Sequence, residues 1–238
     1  MSEGQVAVVV GVGAGLGASL GRRFADAGMK VGLAARSDTT TGPLATAIND
    51  GGGAARSYPT DSSDEAAVED LFSQVERDLG APDLVVFNTG AYGRSSVIET
   101  SAADFEANWR AGCFGGFLVG RAAAKGMVTR GHGTIIFTGA TAARRGGANF
   151  INLALAKFGL RALAQSMARE LGPQGVHIAH TIIDGQINGP AHADMVDEIA
   201  DGKLLEPDAI AETYYQLHIQ HRSAWTQELD LRPAMEKF

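Results

Sequence analysis

The chain has 238 residues, a length that suits one large α/β domain with a full core rather than two small domains. Its formal net charge of −7 excludes broad nucleic-acid binding, which needs a basic surface. Cys113 is the only cysteine, which excludes an internal disulfide and a cysteine-rich metal site. We therefore expect no bound metal, and we expect the protein to work in a reducing cytoplasm.

The N-terminal segment MSEGQVAVVVGVGAGLGASLGRR has no basic leader, and glycines interrupt its apolar run. Neither a signal peptide nor a membrane span is therefore expected. Beyond it, short apolar runs alternate with longer amphipathic stretches, which predicts strands alternating with helices. The predicted strands are 6–10, 31–35, 54–58, 83–88, 134–138, 176–183 and 227–231. The predicted helices are 16–27, 43–49, a helix opened by a capping box of Ser62 and Glu65 and running to Leu79, 104–129, 149–171 and 207–221.

This β-α alternation predicts a Rossmann-type fold, a doubly wound parallel sheet with helices on both faces, formed by a single domain over residues 1–238. Ligands bind such sheets beyond the carboxyl ends of the strands. The residues that follow each predicted strand are therefore the first candidates for a functional site.

A glycine-rich loop, Gly11-Val-Gly-Ala-Gly15-Leu-Gly17, follows the first predicted strand and precedes the first helix. Gly11, Gly15 and Gly17 allow the backbone to turn tightly and to approach a pyrophosphate. The helix N-terminus then supplies N–H groups and the positive end of its dipole. The pattern predicts a nucleotide site; the alternative is a turn that only packs the helix on the strand.

Polar residues follow the next three strands. Arg36 and Ser37 follow the second strand. An acidic residue at this place would bind a ribose 2′-OH, whereas an arginine suits a 2′-phosphate. The arginine therefore favours NADP(H) over NAD(H). Asp61 follows the third strand and is a candidate acceptor for an adenine amino group. Asn88 follows the fourth strand and can tie neighbouring strands together, and Gly90 leaves room for a cofactor. In the alternative interpretation, Arg36 is only a surface residue and Asp61 only caps the next helix.

Together these residues resemble the short-chain dehydrogenase/reductase family over essentially the whole chain. The matching features are GxxxGxG at 11–17, Asp61, the NTGA run at 88–91, Lys157 in the helix after the fifth strand, and Gly185 after the sixth. The resemblance implies cofactor contacts from Gly11, Gly15, Leu16, Gly17, Arg36, Ser37, Asp61, Asn88, Gly90, Lys157, Gly185 and Ile187. It also implies a substrate lid over residues 186–206, and a homodimer or homotetramer formed through the helices 104–129 and 149–171.

The chain departs from the family at its catalytic positions. The family's tyrosine lies four residues before the lysine, where this chain has Leu153, and its serine position is Ala140. The family's asparagine aligns with Gly112, and the proline before the Gly185 turn is Asp184. Of the four-residue acid–base set only Lys157 remains, and the resemblance gives that lysine the nicotinamide ribose as a partner. We therefore expect a lysine that the protein leaves unpaired and the cofactor satisfies; the alternative is a side chain that extends to solvent.

A carbonyl reductase without its tyrosine needs another proton donor, since losing a positioned acid costs roughly 10²–10⁴ in rate. With Lys157, the strongest catalytic candidates are Tyr92, after the NTGA run, and Thr141, beside the missing serine. Thr138, Asn149 and His192 are weaker candidates. Each of these residues alone is also compatible with a purely structural role.

Hydride addition to a conjugated C=C tolerates the loss better, because its enolate needs oxyanion donors first and a proton later. The chain resembles the dienoyl-CoA reductase branch in lacking the tyrosine and in carrying an Arg-Gly pair, Arg145-Gly146, before the helix. Arg144 and Arg145 are candidates for an acidic substrate such as a CoA thioester, or are solvated loop residues.

Three functions follow. The first is an NADP(H)-dependent oxidoreductase, with NAD(H) possible, that acts on a small carbonyl, alcohol or conjugated enone substrate with a non-standard proton donor. The second is a nucleotide-binding protein with little redox activity, acting as a sensor or as a partner subunit. The third is a non-redox enzyme that uses the same cleft for elimination or retro-aldol chemistry. A small molecule, and neither nucleic acid nor membrane, is the expected partner.

Overall fold

The structure is a computed structural model that describes residues 4–90, 93–192, 194–195, 197, 199 and 201–235. The strands of its sheet are β1 (Val6–Val10), β2 (Lys30–Ala35), β3 (Ala54–Pro59), β4 (Leu84–Phe87), β5 (Gly133–Thr138), β6 (Val176–Ile183) and β7 (Glu228–Leu231). The α-helices are α1 (Leu16–Asp26), α2 (Asp38–Asp50), α3 (Glu65–Asp78), α4 (Ala102–Trp109), α5 (Gly115–Arg130), α6 (Ile151–Leu171) and α7 (Pro207–His218). None of the helices in these ranges has both the length and the apolar content that crossing a bilayer requires.

All seven strands run parallel, in the spatial order β3-β2-β1-β4-β5-β6-β7. The chain winds outward from β1 to β3, returns to lie beside β1 as β4, and then winds outward in the other direction to β7. The carboxyl ends of β1 and β4 therefore meet where the winding direction reverses, which is where such sheets bind ligands. The predicted Rossmann-type, doubly wound fold is confirmed.

The residues of β1 enter two separate cores, because successive side chains of a strand point to opposite faces of the sheet. Val6, Val8 and Val10 belong to the core under α3, α5 and α6. Ala7 and Val9 belong to the core under α1, α2 and α7. The strand is fully buried and entirely apolar, as expected for the centre of a parallel sheet. Helices on both faces thus fix the strand ends that carry the candidate site.

Two predicted helix starts are wrong. The helix after β3 is not opened by a Ser62–Glu65 capping box: Asp64 is its cap, and its carboxylate accepts hydrogen bonds from the N–H groups of Ala66 and Ala67. The helix after β2 begins at Asp38, before the predicted 43–49, and includes Pro43 in its interior.

Three further predicted helices have different limits. The continuous helix expected over 104–129 is divided by a π-helical turn over 110–114. A Cβ at Gly112 would lie 2.8 Å from the Cβ of Ala156, so the π-helical turn packs closely on α6. The helix predicted from Asn149 begins at Ile151, because Asn149 has a left-handed φ of 66°. The helix predicted to reach His221 ends three residues earlier.

A buried hydroxyl cluster joins α7 to the sheet. The Tyr214 hydroxyl lies 2.9 Å from Thr138 Oγ1 and also hydrogen-bonds with Thr181 Oγ1. The two threonines are neighbours across β5 and β6. Burial raises the pKa of Tyr214 to about 12, so this hydroxyl stays protonated. The hydroxyl of Thr138, a weaker candidate proton donor, is therefore used in this buried hydrogen bond.

Replacing Tyr214 with phenylalanine should lower the free energy of unfolding by about 1–3 kcal/mol, because two buried threonine hydroxyls lose a partner. Urea unfolding followed by circular dichroism measures the change. Tyr215→Phe, at a half-buried ring that lies 3.9 Å under the Arg23 guanidinium, is the control and should change stability less. Equal losses in the two variants would contradict the account of the cluster.

Candidate functional site

The loop between β1 and α1 packs directly on the loop after β4. Gly11 has a φ of 94°, and a Cβ there would lie 2.7 Å from Thr89 Oγ1 and 2.8 Å from the Asn88 carbonyl carbon. Asn88 Nδ2 donates a hydrogen bond of 3.1 Å to the Gly11 carbonyl oxygen. Gly11 and Asn88 thus join the strand ends on the two sides of the crevice.

The rest of the glycine-rich loop has a packed side and an open side. A Cβ at Gly17 would lie 2.7 Å from Val12 Cα, so the first turn of α1 lies against the loop. Among the described residues, no atom lies within 4 Å of a Cβ built on Gly13 or Gly15. The Leu16 side chain is buried in the core, which leaves only its backbone for a ligand. Because α1 has neither a side-chain cap nor an acidic residue in its first turn, the open side offers an anion a bare helix N-terminus.

The segment after β6 approaches the glycine-rich loop. A Cβ at Gly189 would lie 3.8 Å from Gly15 Cα. Ile187 forms a parallel bridge with the segment before α7, and its side chain packs on the core under α1. A Cβ at Gly185 would lie 2.8 Å from Pro233 Cδ, so this turn passes close to the C-terminal segment. Gly185 and Ile187 therefore lie on the same side of the sheet as the glycine-rich loop.

Arg36, Ser37 and Asp61 lie at the carboxyl ends of the adjacent strands β2 and β3. Asp61 Oδ1 accepts hydrogen bonds from Ser63, at 2.9 Å from the backbone N and 2.7 Å from Oγ. These bonds lower the pKa of Asp61, and the positive charges of Arg36 and Arg110 add to the effect. Asp61 is not the N-cap of α3, which is a different aspartate.

The protein does not leave Lys157 unpaired, and the side chain does not extend to solvent, so these two predictions are wrong. Its side chain is buried, and Nζ donates hydrogen bonds to the carbonyl oxygens of Thr138 at 2.7 Å and Thr89 at 3.3 Å. The lysine thus ties α6 to the ends of β4 and β5. Burial lowers the pKa of Lys157 from its ordinary value of 10.5 to about 8.

The Lys157 ammonium nevertheless keeps capacity for a ligand. An ammonium group has three N–H donors, and two protein acceptors are found for them in the described part of the chain. A Cβ at Gly90 would lie 3.3 Å from Nζ, so a side chain at this position would crowd the ammonium. The predicted residues Gly90 and Lys157 are therefore brought together.

A cavity of about 640 Å³ lies between the end of β5, the end of β6 and the start of α6. Ala140 and Leu153, at the positions where the family resemblance places serine and tyrosine, both line it. Phe150, Ile183 and Leu204 add further apolar wall. The polar lining residues are Thr141, Arg145, Asp184, Gln186 and Lys203.

Asp184 connects the cavity to the C-terminal segment. The residue is buried, and its Oδ1 accepts a hydrogen bond from Thr141 Oγ1. Arg232 Nη2 lies 3.2 Å from Asp184 Oδ2 and also pairs with Asp230. Of these residues, the sequence singles out Thr141 as a candidate. Asp184 is visible there only as a replaced proline, and nothing indicates Arg232.

Of the remaining candidate proton donors, those with described positions do not line the cavity. Tyr92 lies outside the described residues, as does Ala91 of the NTGA run. Asn149 is exposed and precedes α6, so the prediction that it shares a helical face with Lys157 is wrong. His192 Nδ1 lies 3.0 Å from the Ile187 carbonyl oxygen.

The two loop arginines separate. Arg144 Nη1 lies 2.5 Å from Asp230 Oδ2, whereas Arg145 lines the cavity. No group of three or more histidine, cysteine, aspartate or glutamate side chains suited to a metal ion occurs among the residues with described positions. The polar chemistry of the cavity is therefore a hydroxyl, a carboxylate and cations.

Comparisons with curated proteins identify similar dehydrogenases. The chain is 34% identical over 196 residues to a short-chain dehydrogenase/reductase of Armillaria gallica, covering 81% of this chain and 74% of that protein. It is 26% identical over 217 residues to D-threitol dehydrogenase of Mycolicibacterium smegmatis, covering 88% of this chain and 84% of the relative.

Solved structures give the same result. A short-chain dehydrogenase from Rhodopseudomonas palustris has a TM-score of 0.84 at 36% identity, over 97% of this chain and 99% of the other. A metagenomic short-chain oxidoreductase in complex with NADP has a TM-score of 0.83 at 26% identity, over 98% and 99% of the two chains. The model of the short chain dehydrogenase family matches residues 5–199. The chain therefore belongs to the short-chain dehydrogenase/reductase family.

Proposed function

We propose that the protein is an NAD(P)(H)-dependent oxidoreductase that interconverts a small alcohol and its carbonyl compound. The placement of Lys157 carries the proposal. Its ammonium lies beside Gly90, and Lys157 lies one helical turn from Leu153, which lines the cavity. A cofactor held by Lys157 would therefore lie close to the cavity. The names of the D-threitol dehydrogenase relative and the NADP-bound relative support the alcohol and the cofactor. A conjugated enone remains the alternative substrate.

The residues present fit a dinucleotide. The open side of the glycine-rich loop, at Gly13 and Gly15, would hold the pyrophosphate against the N-terminus of α1. Asp61 would accept from the adenine amino group, and the third N–H of Lys157 would donate to a ribose hydroxyl. When bound, the nicotinamide supplies reversible hydride transfer.

We propose a preference for NADP(H) over NAD(H). The strand β2 ends at Ala35, and the next residues, Arg36 and Ser37, are exposed. A guanidinium group there matches the charge and geometry of a 2′-phosphate, whereas a carboxylate at the same place would repel it.

Proton transfer separates the proposed function from its main competitor. Ala140 and Leu153 offer the cavity neither a hydroxyl nor an ionisable group. That observation favours a second candidate function, a nucleotide-binding protein of the same fold with little redox turnover, acting as a sensor or as a partner subunit. The oxidoreductase function therefore requires another residue that can exchange a proton with the substrate.

We propose that residues 186–206 form a lid over the cavity. Gln186, Met195, Lys203 and Leu204 line the cavity from this segment. Residues 193, 196, 198 and 200 of the predicted lid lie outside the described part of the chain. The close approach of Gly189 to Gly15 supports this proposal, because it brings the start of the segment to the glycine-rich loop.

We also propose that the protein is a homodimer or homotetramer. Four large apolar side chains remain exposed on the two predicted interface helices. They are Trp109 at 38%, Phe117 at 39%, Leu155 at 44% and Phe158 at 40%. Clustered exposed apolar groups of this size mark contact surfaces. The packing of Gly112 on Ala156 brings the two helical segments together.

Arg36→Ala should weaken NADPH binding about 10- to 100-fold and leave NADH binding nearly unchanged. Only NADPH carries the 2′-phosphate, and a charge-assisted hydrogen bond contributes about 1.5–3 kcal/mol. Calorimetric titration with each nucleotide measures the effect. Arg22→Ala, at an exposed arginine of α1, is the control. An equal loss for both nucleotides would contradict the assignment.

Lys157→Met should abolish a pH dependence of stability. Between pH 8 and 10.5 the unfolded chain holds a proton on Lys157 that the folded chain has released, so wild-type stability rises with pH in this window. The buried charge destabilises the fold below pH 8, and full release contributes about 3 kcal/mol. Urea unfolding of both proteins across the window measures the difference. Lys125→Met, on the surface of α5, is the control, and a pH-independent difference would rule the linkage out.

Leu155→Arg combined with Phe158→Arg should reduce the molar mass in solution, because two charges then face the proposed subunit contact. Light scattering coupled to size exclusion measures the mass. Ile98→Arg is the matched control, since Ile98 is 91% exposed but lies in a loop outside these helices. A double variant with the mass of the wild type would exclude this contact.

A further inference from the structure

We propose that Thr141 and Asp184 together replace the missing serine and tyrosine as the proton acceptor for an alcohol substrate. Thr141 takes the substrate's hydroxyl proton and passes its own proton to the Asp184 carboxylate. This inference rests on the proposed function and deepens it, because it names the substrate's reacting group and the direction that the resting site favours.

Thr141 has the position and the bonding that this role requires. It directly follows Ala140, the residue at the family's serine position, and lines the same cavity as Leu153. A threonine hydroxyl has one hydrogen and two lone pairs, and here the hydrogen is donated to Asp184 Oδ1. Toward the cavity the oxygen therefore offers lone pairs only. A substrate O–H finds an acceptor there, whereas a carbonyl oxygen, which only accepts, does not.

Asp184 is held in place as the end of a proton path. Its backbone N–H donates to the Leu231 carbonyl oxygen at 2.8 Å, and Arg232 lies 3.2 Å from Oδ2. A buried carboxylate needs such a partner, because removing a charge from water without compensation is costly. Oδ1 accepts the hydrogen bond from Thr141, whereas Oδ2 pairs with Arg232. One oxygen can therefore receive a proton while the other holds the carboxylate in place.

The charged groups around Asp184 come from three segments. Arg232 approaches from the C-terminal segment, and its Nη2 also contacts the carboxylate of Asp230. Arg145, from the loop before α6, and Lys203, from the segment before α7, line the same cavity. Lys203 also pairs with Asp201 at 2.7 Å. Asp184 is thus the one carboxylate among the described cavity-lining residues, and the charges that line the cavity with it are positive.

With the oxidised cofactor of the proposed function, every proton and electron of the reaction is accounted for. The substrate O–H bond breaks as a new O–H bond forms on Thr141 Oγ1, whose original hydrogen moves to Asp184 Oδ1. The C–H bonding pair leaves the carbinol carbon with its hydrogen, as hydride, to the oxidised nicotinamide. The C=O double bond forms from the electrons of the broken O–H bond. In the reverse direction, protonated Asp184 returns its proton through Thr141.

The test compares Thr141→Val, Thr141→Ser and Asp184→Asn with a matched control, Asp230→Asn. The control removes a carboxylate from the same arginine without touching Thr141. The probes are D-threitol, glycerol and cyclohexanol with NADP⁺. We expect Thr141→Val and Asp184→Asn each to lower kcat/KM for oxidation about 10²- to 10⁴-fold. Thr141→Ser, which keeps the hydroxyl, and Asp230→Asn should stay within about threefold of the wild type.

Two further readouts separate proton transfer from a merely structural role. Saturation-transfer NMR measures binding of the same alcohols without turnover, and the signal should weaken in Thr141→Val but persist in Asp230→Asn. Calorimetry checks that every variant binds NADP⁺ as the wild type does.

Several results would overturn the inference. These are full activity in Thr141→Val, full activity in Asp184→Asn, and a wild type that binds NADP⁺ but oxidises none of the probes. Failure to bind either NADP⁺ or NAD⁺ is a different outcome, because it removes the proposed function itself.

Discussion

The buried ammonium of Lys157 is the interaction on which the site depends. An ammonium group without water is costly to bury, and the chain compensates with carbonyl oxygens at the ends of two strands. Those carbonyls belong to the loops after β4 and β5, so α6 can keep its lysine only where these loops have their observed positions. Gly90 leaves the ammonium uncrowded on one side. Burial still lowers the pKa of Lys157, so these two carbonyl oxygens do not fully compensate for the loss of water.

The two parts of the candidate site differ in their chemistry. The glycine-rich loop and Asn88 pack together at the ends of β1 and β4, whereas Ala140 and Leu153 give the neighbouring cavity an apolar wall. In the same cavity, the Thr141 hydroxyl, after β5, and the Asp184 carboxylate, after β6, are connected to an arginine of the C-terminal segment. The chain therefore belongs to its family through its sequence and its fold, and the proton path that we propose uses the polar side of this cavity.

The sequence predicts a feature well when the residues that determine it are close together in the chain. The strands and the glycine-rich loop depend on neighbouring residues, and the alternation of apolar runs places every strand within two residues of its observed limits. The N-cap of α3 is missed because Ser62 and Asp64 are both good capping residues, and the choice rests on local backbone geometry. The π-helical turn is missed because its cause, the contact of Gly112 with Ala156, joins two helices distant in the chain. Asp184 and Thr141 lie 43 residues apart and meet only because β5 and β6 are neighbours in the sheet.

The central claim is that this chain transfers hydride between a small alcohol and a nicotinamide cofactor. The most direct measurement incubates the purified protein with NADP⁺ and D-threitol deuterated at its carbinol carbons, and then determines the mass of the cofactor. The account predicts that deuterium appears in the reduced nicotinamide in step with formation of the carbonyl product. Cofactor that binds but gains no deuterium from this alcohol, or from deuterated glycerol and cyclohexanol, would contradict the account and identify the protein as a nucleotide-binding member of its family without this activity.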